Sequence, residues 1–142
     1  MIVVDATVLL NAYDSNSESH VRCRDWWTTA LNGHEQVGLA WPTLLAFIRI
    51  ATNVRVFELP LSAARACEIV STWLARPQVL ILTPGERFWP ILKAQISSAQ
   101  IRGALVTDTA LAAISIEHGA ALCSTDRDFR RFDGLTLIDP GK

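Results

Sequence analysis

Lysine is almost absent from this sequence. Of its 13 basic residues only Lys93 and Lys142 are lysine, and the other eleven are arginine. Arginine's rigid fork suits phosphate and carboxylate recognition, and GC-rich codon usage produces the same bias. Net charge is −1, so no overall basic field advertises nucleic acid. Cysteine is scarce too. Cys23, Cys67 and Cys123 are odd in number and never in C-x-x-C spacing, which argues against a disulfide framework or a zinc site and suits a reducing cytosol. No apolar run approaches the roughly 18 residues a membrane span needs. The N-terminus lacks the charged and apolar regions of a signal peptide. A cytoplasmic protein without membrane association is therefore expected. There is no internal repeat, low-complexity segment or linker-like shift, so residues 1–142 read as one domain, long enough to bury a proper core.

Apolar residues, by contrast, are abundant. Half the chain is hydrophobic and only 19% is charged, with tryptophan at positions 26, 27, 41, 73 and 89. Either the core is dense, or part of this surface belongs to an interface with a partner or a second copy.

Short aliphatic runs at residues 2–4, 37–40, 79–82, 120–123 and 135–138 read as strands. Helical patterns separate them. One runs from Ser17 or Glu18 to Leu31, and another from Pro42 to Thr52 opens with proline. Ser62 to Ala75 starts on a serine cap, and Glu86 to Gln100 follows the turn Pro84-Gly85. Ala104 or Thr107 to His118 is closed by Gly119, and a short turn of helix covers Asp126 to Arg131. This alternation predicts an α/β fold, a three-layer α/β/α sandwich around a mainly parallel central sheet of about five strands. In such sheets ligands bind beyond the carboxyl ends of the strands.

Aspartates stand at those ends. Asp5 follows Ile2-Val3-Val4, Asp108 opens the apolar helix in GALVTDTALAAISIEHG, and Asp126 follows the strand in AALCSTDRDF, with Asp128 two residues on. Each has a local explanation as a helix cap. For Asp5 the helix begins near Thr7, and for Asp108 either it or Thr107 is the cap. Helical spacing puts Asp108 on one face with Leu105, Leu111, Ala112 and Ser115. Together, however, the acids would converge at one edge of a parallel sheet. Unpaired they would repel, and one or more would take up a proton. A divalent cation removes that penalty. An oxygen-rich site suits Mg²⁺ or Mn²⁺, which keep several waters and bind phosphate. The residues thus point to a carboxylate-lined metal pocket acting on phosphate esters.

MIVVDATVLLNAY, GALVTDTALAAISIEHGAALCSTDRDFRRF and FDGLTLIDP resemble the PIN-domain ribonucleases, most closely the VapC toxins of bacterial toxin–antitoxin pairs. PTLLAFIRIATNVRVF is similar to a branch of those toxins. The resemblance spans essentially the whole chain. It implies that Asp5, Asp108 and Asp126 carry Mg²⁺, with Asp128 as a fourth candidate. The ion would activate a water for in-line attack on an RNA phosphodiester and neutralise the charge that develops. Thr7 and Thr125 would hydrogen-bond the acids or the waters of the metal. The resemblance also implies RNA as substrate, a VapB-type antitoxin as inhibitor and a homodimer. One departure stands out. Many members carry a glutamate three residues before an arginine on the helix after the second strand. Here that arginine is Arg49 and the glutamate's place is taken by Ala46, with Asn53 further along the same helix face. One ion held by three aspartates remains compatible with this, whereas a stable second ion is in doubt. Arg49 would contact RNA phosphate or pair with an acid. Arg127, Arg130 and Arg131 either hold the RNA backbone or form a solvated helix face. His20, His34 and His118 show no ligand spacing and read as surface or capping residues.

Two readings remain. One is a metal-dependent endoribonuclease toxin held by its antitoxin. The other is a non-catalytic PIN-like module that binds RNA or protein, having lost the acid at position 46. A haloacid-dehalogenase-type phosphatase is excluded because it needs D-x-D where the sequence has Asp5-Ala6-Thr7. A Rossmann nucleotide site is excluded because DATVLLN stands where G-x-G-x-x-G should.

Overall fold

The short apolar runs do form strands, and all of them pair in parallel. A computed structural model describes residues 1–141. Its strands are β1 (Ile2–Val4), β2 (Val37–Ala40), β3 (Val79–Leu82), β4 (Ala121–Cys123) and β5 (Leu137–Ile138). They hydrogen-bond in the order β3-β2-β1-β4-β5. Val3 is in register with Gly38 on one side and Leu122 on the other.

Six α-helices cover the sheet: α1 (Ala6–Tyr13), α2 (His20–Asn32), α3 (Trp41–Ala51), α4 (Ala63–Leu74), α5 (Phe88–Ser98) and α6 (Leu105–Glu117). Side chains alternate along each strand. Val4, Val37 and Leu39 therefore join a core with Val8, Phe47 and Trp73, under the first four helices. Val3, Ala40 and Leu122 join a second core with Ala112, Ile114 and Phe129 beneath the last two. This is the expected three-layer α/β/α arrangement. Trp73 centres the first core, its ring 4.8 Å from Phe47 and 5.5 Å from Trp27. The cores are well filled, and Trp41, Leu45, Leu59 and Trp89 are nonetheless exposed.

Several boundaries differ from the sequence reading, each for a local reason. The helix expected from Ser17 starts at His20, because Asp14 first holds a turn, its side chain accepting from the Asn16 amide. Helix α5 starts at Phe88 rather than Glu86, since the Glu117 carboxylate accepts from the amides of Gly85 and Arg87 at 2.7 and 2.9 Å. Strand β4 loses Ala120, whose amide bonds the Ser115 carbonyl of α6 instead. Strand β5 keeps only two residues, because the Leu135 amide closes a turn onto Phe132. The helix expected over 126–131 is a 3₁₀ turn, Arg127–Arg131. Gly119, at φ +64°, does end α6 as foreseen.

The strand order places the site. From β1 the chain moves outward on one side through β2 to β3, then returns by way of α5 and α6 to β4 on the other side of β1. Neighbouring strands β1 and β4 thus send their outgoing loops in opposite directions, which opens a crevice at their carboxyl ends.

Candidate active site

Asp5 leaves β1 directly into that crevice. Its backbone amide still bonds the Cys123 carbonyl of β4 at 3.0 Å. One carboxylate oxygen caps α1 by accepting from the Ala6 amide at 2.8 Å. The other accepts from the hydroxyls of Thr7 at 2.9 Å and Ser124 at 2.7 Å. Asp5 is only 8% exposed. Burial pushes its pKa up, the three hydrogen bonds pull it down, and the nearby Asp126 charge pushes it up further.

Asp126 comes from the loop after β4. It caps the 3₁₀ turn by accepting from the Asp128 amide at 2.9 Å, and its own amide donates to the Ser124 hydroxyl at 2.9 Å. Ser124, buried and hydrogen-bonded to both loops, thus ties the first aspartate to the last. Ser124 was not among the candidate site residues of the sequence, and this link was missed. Its signal was there, in a hydroxyl two residues before the acid, directly on the strand end.

Asp108 arrives from the first turn of α6. That helix is capped by neither Thr107 nor Asp108, since it starts at Leu105 with Ala104 before it and no side-chain cap. The Asp108 carboxylate makes no hydrogen bond among the described residues. Its pKa is raised from 3.8 to about 6, first by burial, then by the charges of Asp5, Asp126 and Asp128, with Arg131 opposing. The repulsion expected of converging acids is therefore present.

Asp5, Asp108 and Asp126 line one cleft of about 280 Å³, together with Thr7, Ala46 and Arg49 and an apolar wall that includes Leu10, Ile50 and Leu111. Other sequence candidates lie elsewhere. Asp128 is exposed, pairs with Arg131 at 3.3 Å and does not line the cleft. The Thr125 hydroxyl accepts from Asn11 at 3.5 Å rather than touching an acid. Asn53 lies past the end of α3, its side chain accepting from the Arg55 amide. Arg127 and Arg130 border a smaller cavity of about 140 Å³ on the other flank of Asp126. His20 and His118 face backbone carbonyls, of Asn11 and Thr83.

Among the described residues no three His, Cys, Asp or Glu side chains stand together as a finished metal cage. The donor set nonetheless fits a hard divalent cation. Its three carboxylates are all oxygen donors, one has no other partner, and an ion such as Mg²⁺ binds through one or two carboxylates while keeping several waters.

The molecule is thus a parallel α/β sandwich in which acids from the ends of β1 and β4 and from α6 line one cleft at the switch point. Comparison with known proteins agrees. The PIN domain family model matches residues 2–135. Ribonuclease VapC37 of Mycobacterium tuberculosis is 41% identical over 140 residues, covering 99% of this chain and 97% of its own. Ribonuclease VapC33 of the same organism is 40% identical, covering 99% and 98%. Among solved structures, VapBC2 from Rickettsia felis bound to a promoter DNA fragment has a chain similar in fold, with a TM-score of 0.67 at 15% identity, covering 97% of this chain and 98% of that one. The chain belongs to the PIN-domain family, in its VapC branch.

Proposed function

We propose that this protein is the toxin of a type II toxin–antitoxin pair, a single-domain metal-dependent endoribonuclease inhibited by a VapB-type antitoxin. One observation carries the reading. Asp108 lines the same cleft as Asp5 and Asp126, has no hydrogen bond of its own, and is pushed up to about 6 by burial and by those acids. Perturbed carboxylates of this kind cluster at functional sites. The names of the mycobacterial relatives support ribonuclease activity, and the Rickettsia complex supports an antitoxin partner.

Asp5, Asp108 and Asp126 would hold Mg²⁺ or Mn²⁺. When bound, the cation supplies Lewis-acid activation of water and charge neutralisation at the phosphodiester. Ser124, Thr7 and the Ala6 amide favour the charged form of Asp5 against the burial that raises its pKa overall. Burial and the neighbouring acids raise the Asp108 pKa to about 6, and a bound cation would favour its charged form. The apolar wall limits water at the reacting phosphate. Exposed Trp41, Leu45 and Leu59 suit the homodimer and antitoxin contacts. Three free thiols suit a cytoplasmic setting, and among the described residues no helix is long and apolar enough to cross a membrane.

A non-catalytic RNA- or protein-binding module is the second reading, favoured by Ala46 in the cleft wall and the lack of a finished cage. Purified, antitoxin-free protein separates the two. The nuclease reading expects RNA cleavage that needs Mg²⁺ or Mn²⁺ and stops with chelator. RNA binding without cleavage at any metal concentration would establish the other.

A further inference from the structure

Among the described residues one cationic side chain lines the cleft, and it is not spent on the acids. Arg49 lines the cleft from the last turn of α3. Its guanidinium makes no ion pair or hydrogen bond among the described residues. Helix neighbours explain this. The positions one turn away, Leu45, Ala46, Thr52 and Asn53, offer no carboxylate. The acids across the cleft do not claim it either. Asp5 is satisfied by Ala6, Thr7 and Ser124, and the cation that Asp108 feels is Arg131. An exposed, unpaired arginine therefore lines the same cleft as three aspartates, beside threonines and an apolar stretch of wall.

We infer that Arg49 is a substrate-binding residue that grips a non-bridging phosphate oxygen of single-stranded RNA. This rests on the nuclease reading for its substrate class and adds a residue and a polarity to it. A phosphodiester complements this cleft end to end. Its oxygens meet the guanidinium fork on one side and a cation held by the acids on the other, while the sugar or base of the same nucleotide covers Leu10, Ile50 and Leu111. Arg49 supplies positive charge to the phosphate that needs no metal. RNA binding consequently persists in chelator, and it is Arg49 that sustains it.

The test uses the full chain with a short fluorescent single-stranded RNA in EDTA, where cleavage does not interfere. Arg49→Gln is expected to weaken binding roughly tenfold, as loss of a charge-assisted hydrogen bond does. It should also flatten the dependence of log affinity on log salt by about 0.7. Arg49→Lys should restore the salt slope and only part of the affinity. Stabilisation of the protein by Mn²⁺, read as a rise in melting temperature, should be unchanged in both variants. Unaltered RNA affinity in Arg49→Gln would overturn the inference, as would an equal loss of Mn²⁺ stabilisation, which would make Arg49 a structural support of the acids. The two readings fail separately. Arg49-dependent binding without any cleavage removes the nuclease and leaves this contact standing, whereas metal-dependent cleavage with Arg49-independent binding does the reverse.

Discussion

The Ser124 hydroxyl donates to the Asp5 carboxylate at 2.7 Å across 119 positions of sequence. The same oxygen accepts from the Asp126 amide. One buried hydroxyl thus fixes the distance between the first and last acids of the cleft.

Ser124→Ala should therefore do two things. It leaves a buried carboxylate oxygen short of a donor, lowering stability by about 1–2 kcal/mol in denaturant titrations. It also removes a bond that holds the Asp5 pKa down, so the acidic limb of the cleavage pH profile should move to higher pH. Ser124→Thr keeps the hydroxyl and should restore both.

Asp5→Asn is nearly isosteric and keeps an oxygen for the Ala6 amide, so the fold should survive by circular dichroism. RNA cleavage should drop by at least about 100-fold, the order expected when a metal-holding or charge-stabilising group is lost. Cleavage within a few-fold of the parent would rule out this acid as part of the machinery.

The raised Asp108 pKa makes a pH-dependent stability claim in metal-free protein. Folding lifts the pKa from 3.8 to about 6, so the native state holds the proton more tightly than the unfolded chain. The resulting penalty is absent below about pH 4, grows between pH 4 and 6 and is complete above. Asp108→Asn should accordingly raise the melting temperature at pH 7.5 in EDTA and leave it unchanged at pH 3.5. Because the group is partly exposed, the gain should be on the order of 1 kcal/mol.

Mn²⁺ or Mg²⁺ should raise the melting temperature of the parent protein by a few degrees at millimolar concentration, as any ligand selective for the native state does. Asp108→Asn should lose most of that rise. Differential scanning fluorimetry in a metal titration reads both.

Layer order and strand count were legible in the sequence because continuous apolar strands alternating with amphipathic helices admit few arrangements. Asp5, Asp108 and Asp126 were legible because a charge beside a buried strand or on an apolar helix conflicts with its surroundings. Asp128 was misleading. Its spacing from Asp126 suggested shared duty, but a 3₁₀ turn directs it toward Arg131 in solvent. Thr125 misled for a similar reason, since alternation at the strand end sends Ser124 inward and Thr125 to Asn11. Cleft-lining Arg49 was visible as a residue, but its lack of a partner depends on the spacing between α3 and the opposite wall, which no local pattern encodes. Glu117 binding the Gly85 and Arg87 amides was equally hidden, being a contact between two loops distant along the chain.

The central position of β1 has a consequence for biosynthesis. Its acid is made well before that of its neighbour β4, so the cleft of acids cannot assemble until β4 has been made and has paired with β1. A growing polypeptide that has not yet reached β4 therefore lacks the assembled acids.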